Sequence, residues 1–137
     1  MTERQRWTPA PRTHSGGVLV VEDDELVGHA LALSLRHAGF EASVARSMAE
    51  ALSTFDAASI DVVVTDVVMP EFSGIELAQE LAVRRPGLPL LLITGYVDGA
   101  LALPPGVPVL FKPFLPRELC HRIAQLLAAR PHSSTAS

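Results

Sequence analysis

Two hydrophobic rhythms alternate along this chain. Val18–Val21, Ile60–Thr65, Leu88–Ile93 and Pro108–Phe111 are short, nearly unbroken apolar runs. Runs of this kind read as strands buried on both faces. Phe40–Ala45 alternates instead, like a more exposed strand. Between the runs the period lengthens. Leu26, Ala30, Leu33 and Leu35–Ala38 give a helical stripe that Gly39 stops. Ser47 and Glu50 form a capping-box pattern opening a second helix, through about Phe55. Ser73 and Glu76 repeat that pattern for a third helix, which ends at Arg84–Arg85 before Pro86–Gly87. Pro116 suits the first position of a closing helix, with Leu119, Ile123, Leu126 and Leu127 on its buried stripe. Between the fourth and fifth strands, Gly99 and Pro104–Pro105 leave room for only a stunted fourth helix.

The order βαβαβαβαβα predicts an α/β fold: a doubly wound five-stranded parallel sheet, order 2-1-3-4-5, with helices on both faces. The 137 residues suit one domain, and 48% apolar composition suffices for a core. The expected division is a flexible leader over 1–17, one domain over 18–130 and a tail over 131–137. A net charge of −4 and the lack of a long basic run argue against nucleic acid as a partner. No apolar stretch approaches the ~18–20 residues of a membrane span. The first residues lack the apolar centre of a secretory signal, and the single Cys120 excludes an intramolecular disulfide. A cytoplasmic location is the expectation.

Four runs end in residues that a phosphate site uses. Val18–Val21 leads into Glu22, Asp23 and Asp24; the third strand into Asp66; the fourth into Thr94; the fifth into Lys112, the only lysine against ten arginines. In a doubly wound sheet these ends share one edge, where ligands bind. Taken singly each residue has a plain reading: Asp24 as a helix N-cap, Asp66 as a turn or cap, Thr94 as a strand-end hydroxyl, Lys112 as part of a loop. Together they suit phosphoryl transfer to a carboxylate. Glu22, Asp23 and Asp66 would hold Mg²⁺, which clustered carboxylates favour. Asp66 would be the nucleophile, Lys112 would neutralise phosphoryl charge, and Thr94 would donate a hydrogen bond.

At this point the motifs VLVVEDDE, VVVTDVVMPEFSG, LLITGY and VLFKPF, in that order, resemble the receiver domains of bacterial two-component response regulators, including those attached to hybrid sensor kinases. The likeness runs from Val18 to about Leu127. It implies that Asp66 is the phospho-acceptor and that Glu22 and Asp23 bind Mg²⁺, with the Val68 backbone carbonyl as a third protein ligand. It makes Thr94 the switch hydroxyl, Lys112 the phosphate-contacting lysine and Lys112–Pro113 a cis peptide. The donor would be a histidine kinase or a histidine phosphotransfer protein, and the domain would catalyse at most its own phosphorylation and dephosphorylation. The family's switch aromatic falls here on Val109, with Tyr96 a substitute two positions beyond Thr94. Val68 and Tyr96 would flank the phosphoryl group with bulk and no acid, which predicts slow loss of that group.

The expected function is a phospho-acceptor switch with no output domain of its own, changing the binding of a downstream protein. A face made by the first, fourth and last helices is the candidate partner surface. Oligomeric state stays open, as does the choice between a free-standing regulator and part of a hybrid kinase. The alternatives are a phosphorylation-independent interaction module, a dehalogenase-like phosphatase and an FMN-binding flavodoxin relative. The phosphatase needs a D-x-D motif, which Asp66-Val67-Val68 is not. The flavin protein needs a phosphate-cradling loop where this chain has acids. His29, His37 and His121 lack ligand spacing and read as helix-surface histidines.

Overall fold

The computed structural model describes residues 16–95 and 103–129. Among the described residues five strands and four helices follow in the order β1 (Gly17–Val21), α1 (Glu25–His37), β2 (Glu41–Ala45), α2 (Met48–Ala57), β3 (Val62–Asp66), α3 (Gly74–Arg84), β4 (Leu90–Thr94), β5 (Val109–Phe111) and α4 (Pro116–Ala129). All strand pairs are parallel, in the order β2-β1-β3-β4-β5, the doubly wound sheet that the alternation predicts. The segment of the expected stunted helix lies largely outside the described residues, as do the N-terminal leader before Gly16 and the tail. Gly17, counted with the leader above, is the first residue of β1: its N–H donates to Asp61 Oδ2 at 2.8 Å and its carbonyl accepts from Asp61 N at 2.7 Å.

The unbroken apolar runs are buried on both faces because helices cover both. Val18, Val20, Val62, Val64, Leu91 and Ile93 pack with Leu35 of α1 and with Leu119 and Ile123 of α4. Leu19, Val21 and Val63 pack with Ala51 and Phe55 of α2 and with Leu77 and Leu81 of α3. Adjacent strand residues thus go to opposite cores, as the pleat requires.

The helix ends follow the capping chemistry. Asp24 caps α1, accepting from Val27 N at 3.1 Å. Ser47 accepts from Glu50 N at 3.1 Å, while Glu50 reaches back to Arg46 N. Ser73 and Glu76 make the reciprocal box on α3. α1 corrects one expectation. Its buried face is Gly28, Ala32 and Leu35, whereas Leu26 is 82% exposed, Leu33 is 54% exposed and Ala30 faces solvent. The helix carries two apolar stripes. Gly28 selects between them, because a Cβ there would stand 3.0 Å from Val44 Cγ1, so α1 lies closest to the sheet along that line.

Candidate functional site

Sheet register brings the polar strand ends together. Val21 pairs with Thr65, so Glu22 comes level with Asp66. Asp66 pairs with Ile93 and Thr94 with Phe111, so Thr94 and Lys112 lie just beyond, on the same carboxyl edge. Lys112 Nζ donates to Asp66 Oδ2 at 2.9 Å and stands 3.8 Å from Glu22 Oε1. Asp66 Oδ1 accepts a long contact, 3.4 Å, from Val68 N. Thr94 is buried, and its carbonyl accepts from Lys112 N at 2.8 Å. The Lys112–Pro113 peptide is cis.

The electrostatics are those of an under-neutralised acid cluster. Carboxylate oxygens of Glu22, Asp23 and Asp66 lie within 4.8 Å of one another. Glu22 is 2% exposed; its Oε2 accepts from Asp24 N at 3.2 Å, and its buried Oε1 has no hydrogen-bond partner among the described residues. Burial pushes the Glu22 carboxyl up to about 7, with the charge of Asp66 adding to it, against the Asp24 hydrogen bond and the attraction of Lys112. Partial burial opposes charge on Lys112, but the hydrogen bond and charge of Asp66, with Glu22 and Asp23 behind it, hold the ammonium above its ordinary range. One lysine faces three carboxyl groups. An orphaned buried carboxylate oxygen inside an all-oxygen donor set fits a hard divalent cation of the Mg²⁺ type.

The loop from Asp66 to α3 is held close to this cluster. Gly74 N donates to Val67 O at 2.8 Å, and Val68 bridges to Ser73. Gly74 is needed there, since a Cβ would meet Asp66 O at 2.0 Å. The sequence marks Gly74 only as a glycine directly after the capping Ser73, where a good helix former is otherwise preferred. On one side of the cluster Val68 is 45% exposed. A pocket of about 360 Å³, lined by Asp23, Arg46, Ser47 and the Met69–Phe72 stretch, adjoins the acids on the other.

Of the remaining residues singled out from sequence, Val109 is half-buried and packs against the Val67, Ala78 and Leu92 cluster. Tyr96 lies outside the described residues. His29, His37 and His121 are exposed on their helices. Cys120 packs against the core, and burial raises its thiol.

A family model described as the response regulator receiver domain matches residues 18–124. The sensory transduction protein RegX3 of Mycobacterium tuberculosis is 36% identical over 114 residues, which is 80% of this chain and 50% of RegX3. The chain thus spans about half the length of that relative. The response regulator receiver protein CpdR of Brucella abortus is 34% identical over 116 residues, covering 82% of this chain and 97% of CpdR. Among solved structures, the response regulator TrrA of Thermotoga maritima, in complex with Mg²⁺-BeF, superposes with a TM-score of 0.73 at 28% identity, over 81% of this chain and 98% of TrrA.

Proposed function

The chain belongs to the response regulator receiver domain family, and from that premise we propose that it accepts a phosphoryl group on Asp66 in a Mg²⁺-dependent reaction. The donor is a phosphohistidine on a histidine kinase or a histidine phosphotransfer protein. The observation that carries this reading is the Lys112–Asp66 contact at 2.9 Å inside the Glu22–Asp23–Asp66 cluster. A structural ion pair needs no second and third acid, and least of all one with an orphaned buried oxygen.

In the transfer, a carboxylate oxygen of Asp66 attacks phosphorus as the bond from phosphorus to the donor nitrogen breaks. The departing imidazole keeps that electron pair and takes up a proton. Glu22, Asp23, Asp66 and the Val68 carbonyl would hold Mg²⁺, which when bound neutralises charge on the phosphoryl oxygens. Lys112, released from Asp66 as that carboxylate becomes an acyl phosphate, pairs with a phosphoryl oxygen. The Thr94 hydroxyl donates to another. Drawing Thr94 inward shifts the loop after β4 and, with it, the affinity for a downstream protein. Val109 offers no aromatic ring to swing, so the switch rests on Thr94 and its loop, in which Tyr96 follows two positions along the chain. Beyond this self-directed chemistry the chain is no enzyme.

The exposed stripe of α1 (Leu26, Ala30 and Leu33) begins just past the acids and suits the donor as a docking face. Among the described residues no helix is long and apolar enough to cross a membrane. A cytoplasmic location, where ATP-dependent kinases make phosphohistidine, agrees with this reading.

Intact mass after incubation with acetyl phosphate tests it. The expected result is one phosphoryl addition that requires Mg²⁺ and is lost in Asp66→Asn. No addition in wild type with Mg²⁺, or equal addition in Asp66→Asn, would overturn it.

A further inference from the structure

Four polar or charged side chains are buried among the described residues: Glu22, Thr65, Asp66 and Thr94. Three belong to the cluster on the carboxyl edge. Thr65 does not, because it precedes Asp66 in β3 and points to the opposite face of the sheet. Its neighbours in the strand are Val62, Val63 and Val64, all fully buried. A fourth valine would match threonine in shape, so packing alone gives no reason for a hydroxyl.

The hydroxyl is used in a hydrogen bond: Thr65 Oγ1 donates to the backbone carbonyl of Asp66 at 2.9 Å. That carbonyl also abuts Gly74, whose Cβ, if present, would stand 2.0 Å from Asp66 O and 3.0 Å from Thr65 Oγ1. The next carbonyl, Val67 O, accepts from Gly74 N at 2.8 Å. Two successive peptide planes at the start of the loop are thus pinned, one by a side-chain hydroxyl and one by a main-chain amide. From the first springs the Asp66 side chain; beyond the second follows Val68, whose carbonyl is the remaining metal ligand proposed above.

We propose that Thr65 is a positioning residue for phosphoryl transfer, its buried hydroxyl fixing the Asp66 peptide so that the carboxylate and the Val68 carbonyl address the same metal and phosphoryl group. The inference rests on the phospho-acceptor reading of Asp66. It acts through orientation: a small misplacement of a reacting group lowers the rate steeply while leaving the fold intact.

The test compares Thr65→Val, Thr65→Ser and Thr65→Ala for thermal stability and for the rate of phosphoryl addition from saturating acetyl phosphate with Mg²⁺. Thr65→Val keeps the packing and loses the donor; it should melt close to wild type yet be phosphorylated about tenfold or more slowly. Thr65→Ser keeps the donor and loses a methyl; it should melt lower and react at nearly the wild-type rate. Thr65→Ala differs from Thr65→Ser only by the hydroxyl, and should be the slower of the two even if Thr65→Val does not fold. Rates that follow melting temperature rather than the hydroxyl, or a Thr65→Val protein as fast as wild type, would overturn the proposal. A wild-type protein that takes up no phosphoryl group would instead overturn the assignment of Asp66, and this inference with it.

Discussion

At the scale of single residues, Val68 is where this site departs most usefully from a generic acid cluster. It is 45% exposed, two positions beyond Asp66, and its backbone N–H already reaches toward Asp66 Oδ1. Hydrolysis of an acyl phosphate on Asp66 needs a water aligned opposite the carboxylate oxygen, and a polar group to hold it. Valine offers neither a donor nor an acceptor from its side chain, and its isopropyl group occupies space on the approach side. Phosphorylated protein should therefore persist well beyond seconds once the donor is removed. Val68→Asn, which supplies an amide, should shorten that lifetime several-fold while leaving the rate of phosphorylation similar. Following the decay of the phosphorylated mass with time checks both. A lifetime of seconds unchanged by Val68→Asn would remove Val68 from the account of hydrolysis.

At the scale of elements, the strands were legible in the sequence and the face of α1 was not. An unbroken apolar run ending in one polar residue leaves little freedom, because burial on both sides fixes the strand and its end falls on the carboxyl edge. Glu22, Asp66, Thr94 and Lys112 could be found that way. A leucine-rich helix is ambiguous, since Leu26, Ala30 and Leu33 satisfy the helical period as well as Gly28, Ala32 and Leu35 do. The deciding contact, Gly28 against Val44, is made across chain distance that periodicity does not see. Thr65 and Gly74 escaped for the same reason: their meaning lies in a carbonyl of a neighbouring residue and not in any spacing. The exposed stripe of α1 then carries a prediction. Charged replacements at Leu26 and Leu33 should change stability by no more than about 0.5 kcal/mol, as surface substitutions do. They should slow phosphoryl transfer from a phosphohistidine protein while leaving acetyl phosphate labelling intact. Parallel assays with the two donors separate a docking face from a general defect; equal slowing with both would show a defect in the site itself.

At the scale of the whole molecule, the acid cluster couples folding to protons and, on the function proposed above, to metal. The Glu22 carboxyl has an ordinary value of 4.5 and sits at about 7 in the folded chain, pushed there first by burial. Below 4.5 it is protonated in folded and unfolded chains alike. Between the two values the unfolded chain ionises and the folded chain does not, so the native state holds the extra proton and stability falls as pH rises. The loss accrues at about 1.4 kcal/mol for each pH unit of that window and is constant above it. Urea unfolding without metal should show this slope in wild type, and Glu22→Gln should flatten that part of the profile. Mg²⁺ bound only by the native state should add stability by mass action, about 2.7 kcal/mol at a concentration one hundred times its dissociation constant. Because the metal requires the carboxylate and the proton occupies it, the gain from a fixed Mg²⁺ concentration should grow as pH rises through 7. Wild type should therefore lose stability with pH in the absence of metal and recover it in the presence of metal. The same two series in Glu22→Gln should run nearly parallel. A Mg²⁺ gain that does not depend on pH in wild type would mean that Glu22 is no part of the metal site, leaving Asp23 and Asp66 to hold the ion.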